Sequence, residues 1–187
     1  MASSPLPATA LRASALGVLC LLAASCSRST LQSSVADQYG GADATQEMDF
    51  WDGLAVLPAV SNRDVVHALL LSFGRQPKGA RSDWTTELKA AQQRGWIAAD
   101  ADPMPGETAR VGMVARVICI EAKIEGGATM RLLGPTERYA VKELNHMRWL
   151  PDMSSGQSIS GGQLLAVLSK AEDRLSARED PDPKEDM

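Results

Sequence analysis

The apolar positions along this chain fall at helical spacing in short runs, and the runs come in pairs. Trp84, Leu88 and Ala91 share one face of a helix that Ser82 or Asp83 caps, and Gly95 stands where that helix stops, with Trp96 just beyond. A loop containing Asp100, Asp102, Pro103, Pro105 and Gly106 follows. Met113, Val114, Val117, Ile118, Ile120 and Ile124 then trace a second helix, apolar around most of its circumference. Because Val and Ile also favour strands, RVICIEAKI has a strand as its alternative reading.

The pair recurs. Thr136 caps a helix carrying Val141, Leu144 and Met147 that ends near Trp149, Leu150 and Pro151, and Ser160 caps another carrying Leu164, Leu165, Val167 and Leu168. A shorter copy precedes both, with Phe50, Trp51, Leu54 and Leu57 in its first helix and Ser61 capping Val65, Val66, Ala68 and Leu69 in its second. A shift of 53 positions lays Leu88 on Val141, Ala91 on Leu144, Trp96 on Trp149 and Ile97 on Leu150. Beyond the loop a shift of 51 lays Met113 on Leu164, Val114 on Leu165 and Val117 on Leu168. Ser61 with Asp64, and Ser160 with Gln163, have the spacing of capping boxes. The pattern predicts an all-α domain of three helix-loop-helix units over 47–176, with Trp96 and Trp149 in equivalent, largely buried places.

The two ends lack this period. Residues 26–46 are rich in Ser, Gln, Gly and Ala and read as a flexible tether, and 177–187 (AREDPDPKEDM) as a disordered acidic tail. Residues 1–25 read as an export signal: Arg12 precedes the uncharged run ASALGVLCLLAA, which is too short to span a bilayer and has no charged stop-transfer anchor after it. Ala23, Ala24 and Ser25 directly before Cys26 resemble the lipobox of bacterial lipoproteins, although Ala23 stands where that pattern usually has Leu. The resemblance implies diacylglycerol on the Cys26 thiol and a protein held in the cell envelope by a lipid bilayer. An ordinary small-x-small cleavage site, giving a secreted or periplasmic product, is the alternative.

Composition narrows the rest. About 160 residues remain after such a cleavage, enough for one domain with a single core. The formal charge of −4 and the absence of a basic patch argue against a nucleic-acid partner. Cys20 lies in the signal and lipidation would consume Cys26, so Cys119 is left alone and no disulfide framework is expected.

The segments WTTELKAAQQRGWI and TARVGMVARVICI, joined by an Asp- and Pro-containing loop, and RYAVKELNHMRWL followed by ISGGQLLAVLSKAED, resemble the S-layer homology (SLH) module. That family commonly has three such units, and the resemblance implies that the three second helices form a central bundle. It further implies an anionic cell-wall polysaccharide as ligand, bound through an arginine in a short motif at each second-helix start. Carried onto this chain, the arginine position falls on Asn62, Arg110 and Gly161, and the acidic position on Asp64, Gly112 and Gln163. Arg110 is thus the one ligand-binding residue the resemblance retains.

Physical chemistry gives Arg110 a role without the family. A guanidinium fork beside the free amides of a helix start favours a carboxylate or phosphate. No catalytic constellation accompanies it, so no enzyme activity, metal or cofactor is expected. His67 and His146 stand at isolated helical positions and read as surface or interface imidazoles. Cys119 reads as a small core residue, Gly126 and Gly127 as a turn, and Asp100 with Asp102 as solvated loop acids. Two functions remain open: a lipid-anchored module that binds an envelope glycan through Arg110, and a structural or protein-interaction lipoprotein in which glycan binding has been lost.

Overall fold

A computed structural model describes residues 29–31, 33–40, 44–74 and 83–179. Among these residues the chain is all-α, with eight helices and no strand. In chain order they are α1 (Val35–Tyr39), α2 (Ala44–Ala55), α3 (Asn62–Ser72), α4 (Trp84–Gln93), α5 (Val111–Glu121), α6 (Ala128–Leu133), α7 (Glu137–His146) and α8 (Gly161–Glu179). The proposed signal residues and Cys26 lie outside the described residues, as do 180–187 of the tail. No helix among the described residues is long and apolar enough to cross a membrane.

The local signals explain most helix starts. At α3 the Ser61 hydroxyl accepts from the Asp64 amide (3.0 Å) while the Asp64 carboxylate accepts from the Ser61 amide (3.4 Å), a closed capping box. Ser160 and Gln163 do the same at α8, at 3.3 and 3.0 Å. Asp83 caps α4 by accepting from both the amide and the hydroxyl of Thr86, and those two bonds hold its carboxyl below the usual range. Thr136 occupies the cap position of α7 but makes no side-chain cap bond. RVICIEAKI is helical through Glu121, with Val111, Val114, Val117 and Ile118 all buried, so packing overrides the strand preference of its β-branched residues.

The helix exits repeat. Gly95 has φ +69° and Arg148 has φ +57°, and beyond them the Trp96 amide donates to Ala91 and the Trp149 amide to Leu144, at 3.0 and 2.8 Å. Gly tolerates this left-handed position without cost, whereas Arg148 is strained in it. The indoles differ, however. Trp96 is 2% exposed, while Trp149 is half-buried, which departs from the expectation of two buried rings.

Packing joins each outer helix to the inner helix of another pair. α4 packs on α3, α7 on α5, and α2 on α8, while α8 also touches α3 and α5. At all three inner helix starts the first helical amide donates to a loop carbonyl: Asn62 to Glu107, Val111 to Gln157 and Gly161 to Leu57, at 2.8, 2.9 and 2.9 Å. Val60, Ala109 and Ile159, just ahead of these starts, are wholly buried together. Gly161 is required by a close approach, because a Cβ there would overlap the Leu54 carbonyl oxygen.

Two boundaries need correction. The segment 26–46, read as a tether, contains α1, whose Val35 and Ala36 are buried and which packs on α2 and α3. The Ser34 hydroxyl and the Ala36 amide both donate to the Asp64 carboxylate, at 2.5 and 2.9 Å, so a polar anchor replaces the apolar stripe that the composition lacks. At the other end α8 continues to Glu179, past 176, and the guanidinium groups of Arg174 and Arg178 donate to the Ala122 carbonyl.

Candidate functional site

Arg110 lies at the mouth of a groove of about 400 Å³ between the loop before α5 and the start of α7. Arg110, Arg116, Asn62, Asp102, Glu107 and Glu137 supply its polar lining, with Trp96, Ile97 and Met113 as its apolar part. The Arg110 side chain is 47% exposed and stands 3.9 Å from the Glu137 carboxylate, a pair at the surface that solvent screens. Arg116 reaches across to donate to the Trp96 carbonyl at 2.7 Å. Two guanidinium groups therefore share the groove with three carboxylates, those of Asp102, Glu107 and Glu137.

The structure changes the position and the chemistry assigned to Arg110. It is the cap residue of α5, one place ahead of the first helical position on which Asn62 and Gly161 fall, so its counterparts are Ser61 and Ser160. The helix-start amides offered to an anion are already engaged: Val111 donates to Gln157 and Gly112 to Ser155 at 3.0 Å. Gly112 has no room for a side chain either, because a Cβ would lie 2.8 to 2.9 Å from Glu137 and the Ser155 carbonyl. What Arg110 offers a ligand is its own fork of donors.

The other two positions are closed. Asn62 is buried and its side-chain amide donates to the Met104 carbonyl at 2.9 Å. Gly161 is blocked by Leu54. Asp64 is fully buried and spends its carboxylate on Ser34, Ala36 and Ser61.

A second cluster of cations lines a shallow groove beside Trp149, formed by Lys170, Arg174 and Arg178 with Asp173. These residues donate to backbone carbonyls, Lys170 to Arg148 and Trp149, and both arginines to Ala122. They satisfy the carbonyls at the ends of α5 and α7, a structural duty that the sequence reading missed.

His67, expected at a surface or an interface, is buried between two helices. It is 2% exposed inside α3, its Nδ1 lies 2.5 Å from the carboxylate of the fully buried Glu87 on α4, and its ring meets Phe50 edge-on. The signal was present in the pattern, because Glu87 shares the apolar face of Trp84, Leu88 and Ala91, and His67 interrupts an apolar run. His146 is exposed. Cys119 is buried in the core, and desolvation pushes its thiol up to about 12, so it is no nucleophile at neutral pH. Asp100 and Asp102 are exposed, and no group of three or more metal-ligating side chains converges among the described residues. Gly126 and Gly127 lead into α6, a short helix absent from the sequence reading.

Comparison with protein-family models, with curated proteins and with solved structures gives no match for this chain.

Proposed function

We propose that the chain is an exported envelope lipoprotein, anchored in a bilayer through acylated Cys26, whose SLH-like module binds an anionic glycan in the groove at Arg110. The cyclic pairing of outer on inner helices, and the three matching amide bonds at the inner helix starts, support a module of three units around a central bundle. One observation carries the binding reading: at the start of α5 the Arg110 guanidinium stands beside a groove with apolar side chains in its lining, whereas Asn62 spends its side chain on Met104 and Gly161 is blocked by Leu54. Carboxylates in the same groove suit sugar hydroxyls, and Arg110 suits an acidic substituent.

Arg110→Ala is expected to leave the fold intact and to weaken sedimentation with purified cell-wall glycan by about ten- to a hundred-fold, the worth of one charge-assisted hydrogen bond. The interaction should fade as salt rises. Equal binding by both proteins would reject Arg110 as the site. A specific observation favours a second reading, a scaffold without glycan binding: Glu137 already faces Arg110, and carboxylates outnumber guanidinium groups in the groove. Absence of binding by both proteins at low salt selects it.

For the anchor, Cys26→Ser is expected to move the protein from the detergent-extracted membrane fraction to the soluble fraction, or to leave it uncleaved. A diacylglycerol carries two chains and holds firmly, whereas a single chain is marginal. Retention of Cys26→Ser in membranes would reject the lipobox assignment.

A further inference from the structure

We infer that the loop 103–108, which carries the exposed Met104, is a surface that rests on the lipid headgroups of the bilayer holding the anchor. This rests on the anchoring reading above and adds an orientation to it. Leash length is the first argument. Ser29 to Leu31 pair antiparallel with this loop: the Thr108 amide donates to Ser29 at 3.1 Å, the Leu31 amide to Gly106 at 2.7 Å, and Thr30 bridges Glu107. Ser34 and Ala36 then fasten to Asp64. The acylated residue is therefore joined to the domain by the steps from Cys26 to Ser29 alone, which span at most about 11 Å when fully extended. A tether running to residue 46 would let the domain tumble, whereas this leash keeps the 106–108 backbone beside the bilayer.

The second argument is the loop's firmness and its exposed methionine. Asn62 holds it twice, side chain to Met104 at 2.9 Å and backbone to Glu107 at 2.8 Å, and the Arg63 amide donates to Pro105 at 3.1 Å. Met104 is nonetheless 64% exposed, between Pro103 and Pro105. The anchor already supplies attachment, so a weak apolar contact has only to choose which face turns to the lipid, and a short leash raises its effective concentration. Leu132 and Leu133, also exposed, belong to α6 and not to the loop that residues 29–31 hold. The groove at Arg110 shares Glu107 with this loop, and its ligand is therefore met at headgroup level.

The test uses the chain from Cys26 onward, with a maleimide phospholipid coupled to Cys26 in phosphatidylcholine nanodiscs that contain a spin-labelled lipid. The buried Cys119 does not compete for the maleimide. Relaxation of isotope-labelled methionine methyl groups is the readout. Met48 is a matched control, equally exposed at 64% and next in sequence to Glu47, which lines a groove with Leu71 and Ser72 at the far end of α3. Enhancement at Met104 is expected to exceed that at Met48 several-fold. Inserting about 12 Gly/Ser residues before Ser29, roughly 20 Å of added reach, should bring the two towards equality. Equal enhancement without the insert, or a ratio that the insert does not change, would overturn the inference. Absence of acyl chains on Cys26 of protein purified from cells would instead overturn the anchoring reading, because the nanodisc arm supplies its own lipid.

Discussion

Replacing Trp96 by Ala is expected to cost about 3–5 kcal/mol, a large share of the 5–15 kcal/mol that a domain of this size commonly has. The ring is 2% exposed and meets Phe73 edge-on, with centroids 6.2 Å apart. Its indole N–H donates to Glu121 at 2.8 Å, so truncation both opens a cavity and removes one hydrogen bond to a carboxylate at the end of α5. Arg116 holds the backbone of the same residue, which makes Trp96 the point where the exit of α4 is fastened to α5. Thermal unfolding followed by circular dichroism should show a fall in Tm of roughly 10 °C or more. Trp149→Ala provides the comparison. Its backbone repeats the same turn, but its ring is half-buried, so the loss should be about half as large or less. Equal losses would mean that the two indoles carry the same load despite their different exposure.

That comparison also marks how far the sequence could be read. The caps at Ser61, Asp83 and Ser160 and the turn at Gly95 depend on residues within four positions of one another, and each forms as its local pattern predicts. The helical nature of 111–121 follows from the spacing of its apolar residues. Features set by distant approach were not legible. Which amides of α5 remain free depends on where the carbonyls of Ser155 and Gln157 come to rest, and that is a property of packing. The burial of 34–36 depends on lone pairs of Asp64 that its capping box leaves unfilled. At the site, the sequence supplied Arg110 as a cation at a helix start, while its neighbours Arg116, Glu107 and Glu137 come together only in the folded chain.

Glu87→Ala is expected to destabilise the domain by about 3 kcal/mol or more, because it takes away a buried charged partner of a buried imidazole. His67 and Glu87 are 2% and 0% exposed, they join α3 to α4, and Phe50 from α2 closes over the imidazole ring. An ordinary solvated carboxylate on α4 would give a change within about 0.5 kcal/mol, so the size of the effect discriminates between the two situations. Glu87→Gln keeps an oxygen acceptor in place and should lose less than Glu87→Ala. The combined change His67→Phe with Glu87→Leu is the sharper measurement. Removing both polar groups together takes away the buried imidazole along with the carboxylate, so part of the stability lost in Glu87→Ala should return, since buried pairs are often no better than the apolar residues that fill the same space. Urea unfolding of the four proteins, wild type included, at constant m reads these differences as shifts in midpoint. A double variant as unstable as Glu87→Ala would show that the polar contact itself, rather than the cost of leaving the buried imidazole without that carboxylate, holds α3 and α4 together.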